Sequence, residues 1–303
     1  MASTLSIHPD PDDDDMGRKQ DKTKSKSGKK QKKAKGTMAE RADKFACYLA
    51  SVQSPEHEIE FFEDVYKEEF GRKPLTLQED FCGTFSVCCE WVKSSKKRTA
   101  VGVDLCPETL QWGRDNVLTR LKDSQKVRVS LLEQDVRKKN DTRCDILAAQ
   151  NFSFWIFKTR AEVVEYFKCA LANMNDESLM IMDMMGGGEC YDLGHIDKRR
   201  IKKGKNGFKY LWEQAHYNPV NHDCSFFIHF VFDDGSRLNR AFEYHWRFWT
   251  IPEVREMLEE AGFSNSYVYW EIEDKKGRDT GEWERNEEAM PHPSWLAYIV
   301  AVK

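Results

Sequence analysis

The stretch LTLQEDFCGTFSVCCEWV at residues 75–92 decides the fold, together with TAVGVDL at residues 99–105. The first segment begins with an apolar strand, turns at Gly83 and continues as an amphipathic helix. The second segment is another apolar strand, and it ends in Asp104. This order of strand, turn, helix and strand is typical of the first unit of a parallel, nucleotide-binding α/β sheet.

The turn contains one glycine, Gly83, between Phe81 and Phe85. A dinucleotide site needs several glycines, because backbone amides must approach a pyrophosphate closely. The turn therefore disfavours a dinucleotide. Asp104 follows about 20 positions later, where a carboxylate commonly binds ribose hydroxyls, and this favours an adenosine-containing cofactor. The alternative is an ordinary βαβ unit whose turn needs one small residue.

The segment EDFCGT resembles the first motif of the class I S-adenosylmethionine-dependent methyltransferases, D-x-G-C-G-T-G. More narrowly, it resembles a largely uncharacterised branch that carries E-D-F-C-G-T. Glu79 takes the acidic position and Asp80 follows it, so either carboxylate can meet the ammonium group of the cofactor. Both outer glycines of the motif are phenylalanine here. The resemblance implies that the cofactor is S-adenosyl-L-methionine.

Three later segments keep the order of elements of this family. Residues 127–136 read as a third strand that ends at Asp135, the position that faces adenine in such enzymes. Residues 144–157 read as a fourth strand, whose end lies beside the reacting methyl group, and residues 178–188 as a fifth. The cofactor-binding residues that the resemblance implies are Glu79, Asp80, Phe81, Cys82, Gly83, Thr84, Asp104, Leu105, Asp135, Val136, Gln150 and Asn151.

The predicted fold class is α/β, a Rossmann-like class I methyltransferase sheet of seven strands with the last strand antiparallel. Residues 37–303 form the methyltransferase domain, and residues 37–74 are predicted to hold two lid helices joined at Pro55. The resemblance makes Tyr48 and Gln53 candidate lid residues. Simple packing of an amphipathic helix on the sheet is the alternative.

Residues 187–249 are predicted to be a substrate-facing insertion after the fifth strand. A basic loop at residues 198–205 leads into three alternating, aromatic-rich runs, which predict a three-stranded antiparallel meander. The candidate catalytic residues within it are Glu213, His229 and Arg247. A hydroxyl acceptor needs a general base, whereas a nitrogen acceptor needs only its neutral form. The alternative is that each residue only follows the alternation of its strand between a packed face and a solvated face and does not contact the substrate.

The composition predicts an intracellular enzyme, cytoplasmic or nuclear, with no metal site. The chain has 303 residues, 40% of them hydrophobic, which is enough for one sizeable core. Its 9 cysteines form no C-x-x-C pair and mostly lie in apolar runs, so they favour neither a zinc site nor a disulfide framework. The sequence contains no apolar run long enough to span a membrane.

Residues 1–36 are predicted to be a disordered acidic and basic tail. They contain six Asp and ten Lys or Arg, with almost no apolar side chain to offset the entropy of ordering. The basic part is interpreted either as a nuclear-localisation or weakly nucleic-acid-binding arm, or as a solvated extension that keeps the chain soluble.

Taken together, these patterns predict an S-adenosylmethionine-dependent methyltransferase whose acceptor is a small molecule or a protein side chain. An RNA methyltransferase is one alternative, supported by the basic tail and loop. A non-catalytic scaffold with a methyltransferase fold is another, supported by the two phenylalanines in the turn. The residues do not identify the acceptor.

Overall fold

The computed structural model describes residues 36–201, 207–273 and 279–303 of the chain. The predicted tail, residues 1–36, lies outside the described residues except for Gly36. No helix among the described residues is both long enough and apolar enough to cross a membrane.

The described residues form a central sheet, a second sheet and helices on both faces of the central one. The helices are α1 (Met38–Arg41), α2 (Lys44–Ser51), α3 (Pro55–Phe70), α4 (Ser86–Ser94), α5 (Pro107–Asn116), α6 (Asp123–Lys126), α7 (Arg160–Ala172) and α8 (Ile251–Ala261). The strands are β1 (Thr76–Asp80), β2 (Thr99–Asp104), β3 (Val129–Glu133), β4 (Cys144–Ala149), β5 (Met174–Gly186), β6 (Ile196–Ile201), β7 (Phe208–Tyr217), β8 (Asp223–Phe232), β9 (Arg237–Arg247), β10 (Asn265–Glu273), β11 (Asp279–Arg285) and β12 (Trp295–Val302).

The central sheet has the strand order β11-β10-β12-β5-β4-β1-β2-β3. Strands β1 to β5 are parallel, and β12 lies antiparallel between β5 and β10. The predicted sheet with its last strand antiparallel is therefore confirmed. The sheet has one strand more than the seven predicted, because β11 adds an antiparallel strand outside β10. Its sequence, DTGEWER, is too polar to read as a strand.

Several helix ends follow local sequence signals. Pro55 lies in the first turn of α3, so the predicted break between the two N-terminal helices is confirmed. Thr250 caps α8, and the side chain of Glu253 completes a capping box. Gly262 ends the same helix with a φ of 107°, a left-handed conformation that glycine adopts without steric cost.

The central sheet is covered on both faces by apolar side chains. Helices α3 and α4 pack on one face, where the largest fully buried residues include Phe62, Tyr66 and Trp91. Helices α7 and α8 cover the opposite face, around Trp155 and Phe167. Burial on both faces fixes the parallel strands in register, so the carboxyl ends of β1, β2, β3 and β4 lie along one edge of the sheet.

The insertion after β5 is a four-stranded antiparallel sheet in the order β6-β7-β8-β9, one strand more than the predicted meander. The predicted basic loop at residues 198–205 is wrong at its start, because residues 198–201 belong to β6, while residues 202–206 lie outside the described residues. In β6, Asp197 and Arg199 turn inward, whereas Lys198 and Arg200 face solvent. Charged residues at inward positions conceal the alternation that identifies a strand in sequence.

The N-terminal helices lie against this insertion. The amide of Met38 donates to Oδ2 of Asp234 at 2.7 Å, and the amide of Ala39 donates to the Ser236 hydroxyl at 3.0 Å. Both acceptors lie in the turn between β8 and β9. In α2 the ring of Tyr48 lies 4.9 Å from that of Phe242, between centroids. Helix and insertion therefore enclose a common space above the sheet edge.

Candidate cofactor and acceptor site

The turn after β1 keeps the backbone path of a glycine-rich turn although it contains one glycine. Gly83 has a φ of 53°, and Phe81 and Phe85 have φ values of 55° and 46°. These left-handed conformations are costly for a bulky residue. Phe85 is completely buried, and a Cβ atom on Gly113 of α5 would lie 2.4 Å from its ring. The glycine missing from the turn is thus compensated by a glycine in the neighbouring helix.

The two consecutive carboxylates of β1 point to opposite faces of the sheet. Glu79 accepts a hydrogen bond from the Cys88 amide at 3.0 Å, and burial raises its pKa to about 8. Asp80 accepts from Gln78 at 2.8 Å and from the Tyr166 hydroxyl at 3.0 Å on the other face, and burial raises its pKa to about 7. Glu79 is the carboxylate on the side of the turn, whereas Asp80 is enclosed beneath α7.

Two other residues of the turn face inward. Cys82 is buried, and its sulfur lies where a Cβ atom on Gly102 of β2 would approach to 2.8 Å. Thr84 is 4% exposed, and its hydroxyl has no hydrogen-bond partner among the described residues. A buried hydroxyl without a partner is costly, so the turn has an unused polar group available to a ligand.

Asp104 closes the turn and borders an open cleft. Its Oδ2 accepts from the Gly83 amide at 2.7 Å, and its Oδ1 accepts from the Cys106 amide at 2.8 Å. A carboxylate oxygen has a second lone pair for a ligand hydroxyl. The cleft has a volume of about 570 Å³, and it places Asp104 and Leu105 opposite Ile156.

The lining of this cleft combines apolar and charged side chains. Leu105 is 67% exposed and Ile156 is 54% exposed, so two large apolar side chains of the lining are open to a ligand. At the far end, Arg137 donates to both oxygens of Asp135 at 3.1 and 2.7 Å, which lowers the pKa of that carboxyl. Val136, the next residue, lines the cleft although it is mostly buried. Of the predicted residues, the cleft brings together Phe81, Asp104, Leu105, Asp135 and Val136.

The end of β4 is sharply bent. The predicted fourth strand, residues 144–157, stops at Ala149, because Asn151 and Phe152 are both left-handed, with φ values of 59° and 55°. Asp183 of β5 accepts hydrogen bonds from both of their amides at 2.9 Å. Burial raises the pKa of Asp183 to about 6. One carboxylate therefore stabilises two successive strained residues at the point where the resemblance places the methyl group.

A second pocket, of about 90 Å³, adjoins this bend. Gln150 and Asn151 line it together with Glu58 of α3 and Asp183. Glu58 has an oxygen without a hydrogen-bond partner among the described residues, and burial raises its pKa to about 7. The predicted lid residue Gln53 lies nearby, where its side chain accepts a 2.5 Å hydrogen bond from Ser86 at the start of α4. The segment between α2 and α3 is thus tied to the helix that follows the turn.

A third space, which we call the aromatic chamber, lies between Phe152 and the insertion. Its volume is about 30 Å³, and it shares Val52, Asn151 and Leu296 with the second pocket. Strands β7, β8 and β9 and helix α2 supply most of its remaining wall. The wall residues from these elements are Tyr48, Tyr210, Trp212, Ile228, Tyr244 and Trp246.

The predicted catalytic residues lie elsewhere. Glu213 and His229 hydrogen-bond to each other at 2.8 Å on the outer face of the insertion, because they follow Trp212 and Ile228 by one position in their strands. Arg247 donates to the carbonyl of Lys158 at 3.0 Å and stacks on Trp249. None of the three lines any of the pockets described above. Their catalytic role stays a prediction that the geometry does not favour.

Sequence reasoning missed three carboxylates that line the second pocket and the aromatic chamber. Glu58 lies in a helix rich in acidic residues, and nothing in the sequence separates it from its exposed neighbours. Asp183 interrupts the apolar run of β5, which is a usable signal, since a charged residue within a buried strand requires a specific partner. Asp197 lies beside the chamber in a strand that read as a loop.

No family model matches the sequence, and no curated protein matches it. Comparison with solved structures, in contrast, finds one consistent fold. Among solved structures, an S-adenosylmethionine-dependent methyltransferase from Clostridium acetobutylicum has a TM-score of 0.62 and 15% identity, covering 86% of this chain and 97% of its own. An amino pentose methyltransferase from Micromonospora echinaspora, solved with S-adenosylmethionine bound, has a TM-score of 0.61 and 14% identity over 85% of this chain and 95% of its own.

A sugar N-methyltransferase from Streptoalloteichus has a TM-score of 0.59 and 14% identity, over 92% of this chain and 99% of its own. At these identities the comparison establishes the fold. The chain has the α/β fold of the S-adenosylmethionine-dependent methyltransferases.

Proposed function

We propose that the protein is an S-adenosylmethionine-dependent methyltransferase that acts on a small molecule. The observation that carries the proposal is the geometry of the sheet edge. Asp104 borders an adenosine-sized cleft at the end of β2, and an enclosed chamber lies beyond the bend at the end of β4. A two-part site of this kind, with a cofactor in one part and an acceptor in the other, suits a transfer reaction.

The residues present fit the cofactor. Asp104 would bind the ribose hydroxyls, and Leu105 and Ile156 would cover the adenine ring. The carboxylates of Glu58 and Asp183, which line the second pocket, and that of Glu79 beside the turn remain for the methionine part, whose ammonium group is cationic. When bound, the cofactor supplies a methyl group on a positively charged sulfur. The chain then has to align the acceptor with that methyl group and exclude water.

The acceptor part favours a small molecule over RNA. The aromatic chamber is enclosed by the insertion and α2, and its volume suits a group of a few heavy atoms. The RNA alternative rested on the basic tail, which lies outside the described residues, and on the basic loop, whose described residues 198–201 do not line the chamber. The scaffold alternative rested on Phe81 and Phe85, and both adopt the left-handed conformation that a glycine would provide there. The substitutions therefore leave the path of the turn intact.

The test has two stages. Calorimetric titration of the full chain with S-adenosylmethionine is expected to show binding to the parent protein and a marked loss of affinity in Asp104→Ala. Tritium-methyl transfer to a cell extract, separated into protein, RNA and metabolite fractions, is expected to label the metabolite fraction. Absence of cofactor binding would support the scaffold, and label confined to RNA would contradict the small-molecule acceptor.

A further inference from the structure

We infer that the group methylated in the aromatic chamber is an amine, which Asp197 and the surrounding aromatic rings hold as a cation after transfer. This inference rests on the proposed function and deepens it, because it names the chemical class of the acceptor. It stands on three features of the chamber: an incompletely paired carboxylate, a ring-lined wall and an excess of acidic groups.

The carboxylate of Asp197 lines the chamber and is incompletely paired. Its residue is 8% exposed, and its Oδ2 has no hydrogen-bond partner among the described residues. Nε of Arg199 lies 3.9 Å from that oxygen, which is too far for a hydrogen bond. The Arg199 guanidinium instead stacks on the Tyr210 ring, 4.5 Å from its centroid. A buried carboxylate with an unsatisfied oxygen is costly unless a further donor reaches it.

The wall of the chamber is formed by aromatic rings. Trp212 lies 5.8 Å from Tyr244 and 6.3 Å from Trp246, between ring centroids, and Tyr244 lies 4.4 Å from Trp246. Tyr48 adds a further ring on the side of α2. The faces of such rings carry negative electrostatic potential and attract a desolvated ammonium group. A carboxylate and aromatic faces together form a site for a cation.

The charges around the chamber exclude an acidic acceptor. The chamber and the pocket that adjoins it are lined by the carboxylates Glu58, Asp183 and Asp197 and by one guanidinium, Arg199. Arg199 approaches Asp197 without a hydrogen bond, and burial raises the pKa of Asp197. Glu58 and Asp183 are assigned to the ammonium group of the cofactor, so Asp197 is the carboxylate that faces the acceptor. It would repel an anionic acceptor and attract an ammonium group.

The chemistry of transfer uses this arrangement. A neutral amine nitrogen forms the new nitrogen–carbon bond with its lone pair, and the carbon–sulfur bond breaks with its electron pair left on sulfur. The positive charge therefore moves from sulfur to nitrogen. A hydroxyl acceptor would instead have to lose its proton to a base, and it would give a neutral product that gains nothing from Asp197. The chamber stabilises the charge where it develops, on the product nitrogen.

The test uses choline as a cationic probe and dimethylbutanol, in which carbon replaces its nitrogen, as the uncharged probe of the same shape. Both are titrated calorimetrically into the full chain loaded with S-adenosylhomocysteine. Choline is expected to bind about tenfold more tightly than dimethylbutanol, the difference that cation–π and carboxylate contacts typically supply. Equal affinities, or no choline binding up to millimolar concentrations, would overturn the inference.

Two variants separate this result from failure of the proposed function. Asp197→Asn keeps the shape of the side chain, and it is expected to weaken choline about tenfold while the affinity for dimethylbutanol and for S-adenosylhomocysteine stays unchanged. Asp192→Asn, an exposed carboxylate in the same segment, serves as the control and should change none of the three affinities. Failure of the parent protein to bind S-adenosylhomocysteine would refute the proposed function. Unchanged choline affinity in Asp197→Asn would refute the amine.

Discussion

The proposed cofactor part and the proposed acceptor part of the site are built from the chain in different ways. In the proposed cofactor part the predicted residues lie at or just beyond the ends of central-sheet strands, as Asp104 ends β2 and Asp135 follows β3. In the acceptor part the lining residues lie within strands of the insertion and on α2, and neighbours along a strand point to opposite faces. A site formed by strand ends depends on element order, whereas a site formed by strand faces depends on register.

The largest effect is expected in the cofactor part, from Asp104→Ala. The substitution removes the carboxylate that borders the cleft and that also accepts the Gly83 amide. Loss of charge-assisted hydrogen bonds should cost roughly 1.5–3 kcal/mol, so the Kd for S-adenosylmethionine should rise about 10- to 100-fold. Calorimetry measures the Kd, and circular dichroism checks that the variant is folded.

Asp115→Ala is the matched control, because Asp115 is exposed on α5 and hydrogen-bonds only to Gln111 among the described side chains. Its Kd should equal that of the parent protein. If Asp104→Ala binds the cofactor as tightly as the control does, the cofactor does not occupy the cleft at the end of β2.

The difference between the two parts explains which site residues could be predicted from the sequence and which could not. The strand-end residues Asp104 and Asp135 were predicted, and the structure places both beside one cleft. In the lining of the chamber, Tyr48 and Asn151 had been named from the sequence as a lid residue and a cofactor-binding residue. The catalytic candidates Glu213 and His229 are one position out of register with the lining residues of their strands. Asp197 was missed because its own strand, β6, has charged residues at inward positions and therefore gave no strand pattern. Its pairing with β7 identifies it as a strand only in the structure. Register depends on pairing between distant segments, which a single sequence does not record.

The second prediction concerns the turn itself and the packing of Phe85. Glycine to alanine usually stabilises the interior of an exposed helix by about 0.5–1 kcal/mol. In Gly113→Ala the new Cβ would lie 2.4 Å from the Phe85 ring and 2.8 Å from the Thr84 carbonyl oxygen. We expect overpacking to prevail and the free energy of unfolding to fall by about 1–3 kcal/mol, as urea denaturation would measure.

Gly188→Ala provides the comparison, because no atom beyond its chain neighbours lies within 4 Å of the position of a Cβ there. Its stability should stay within about 0.5 kcal/mol of the parent value. A stabilised Gly113→Ala variant would show that helix propensity prevails over packing and that Phe85 does not depend on this glycine.

The third prediction is a pH dependence of cofactor binding. Burial raises the pKa of Glu58 to about 7 and that of Glu79 to about 8. Both groups are neutral in acid and become anionic as the pH rises through these values, so a cationic ligand must displace their protons at low pH. Affinity for S-adenosylmethionine should therefore increase about tenfold as the pH rises from about 6 to about 8.

Calorimetry in two buffers of different ionisation enthalpy would detect the released protons. Glu79→Gln keeps an acceptor for the Cys88 amide and should reduce the rise of affinity with pH to the part that Glu58 causes, whereas the exposed Glu108→Gln should leave the profile unchanged. A parent protein whose affinity falls with rising pH would show that these carboxylates do not face the cationic part of the cofactor.

The smallest effect is expected from Glu213, on the outer face of the insertion. The sequence pattern predicts that Glu213→Ala lowers turnover, whereas the geometry predicts almost no effect, because the side chain contacts His229 on the face away from the chamber. Because the pair lines none of the described pockets, turnover and the Kd for the cofactor should both change by less than about threefold. Trp212→Leu, the preceding residue on the chamber face, should lower turnover clearly while the cofactor Kd stays the same. Equal losses of turnover in the two variants would mean that both faces of β7 reach the acceptor, and the distinction between strand ends and strand faces would no longer explain which residues matter.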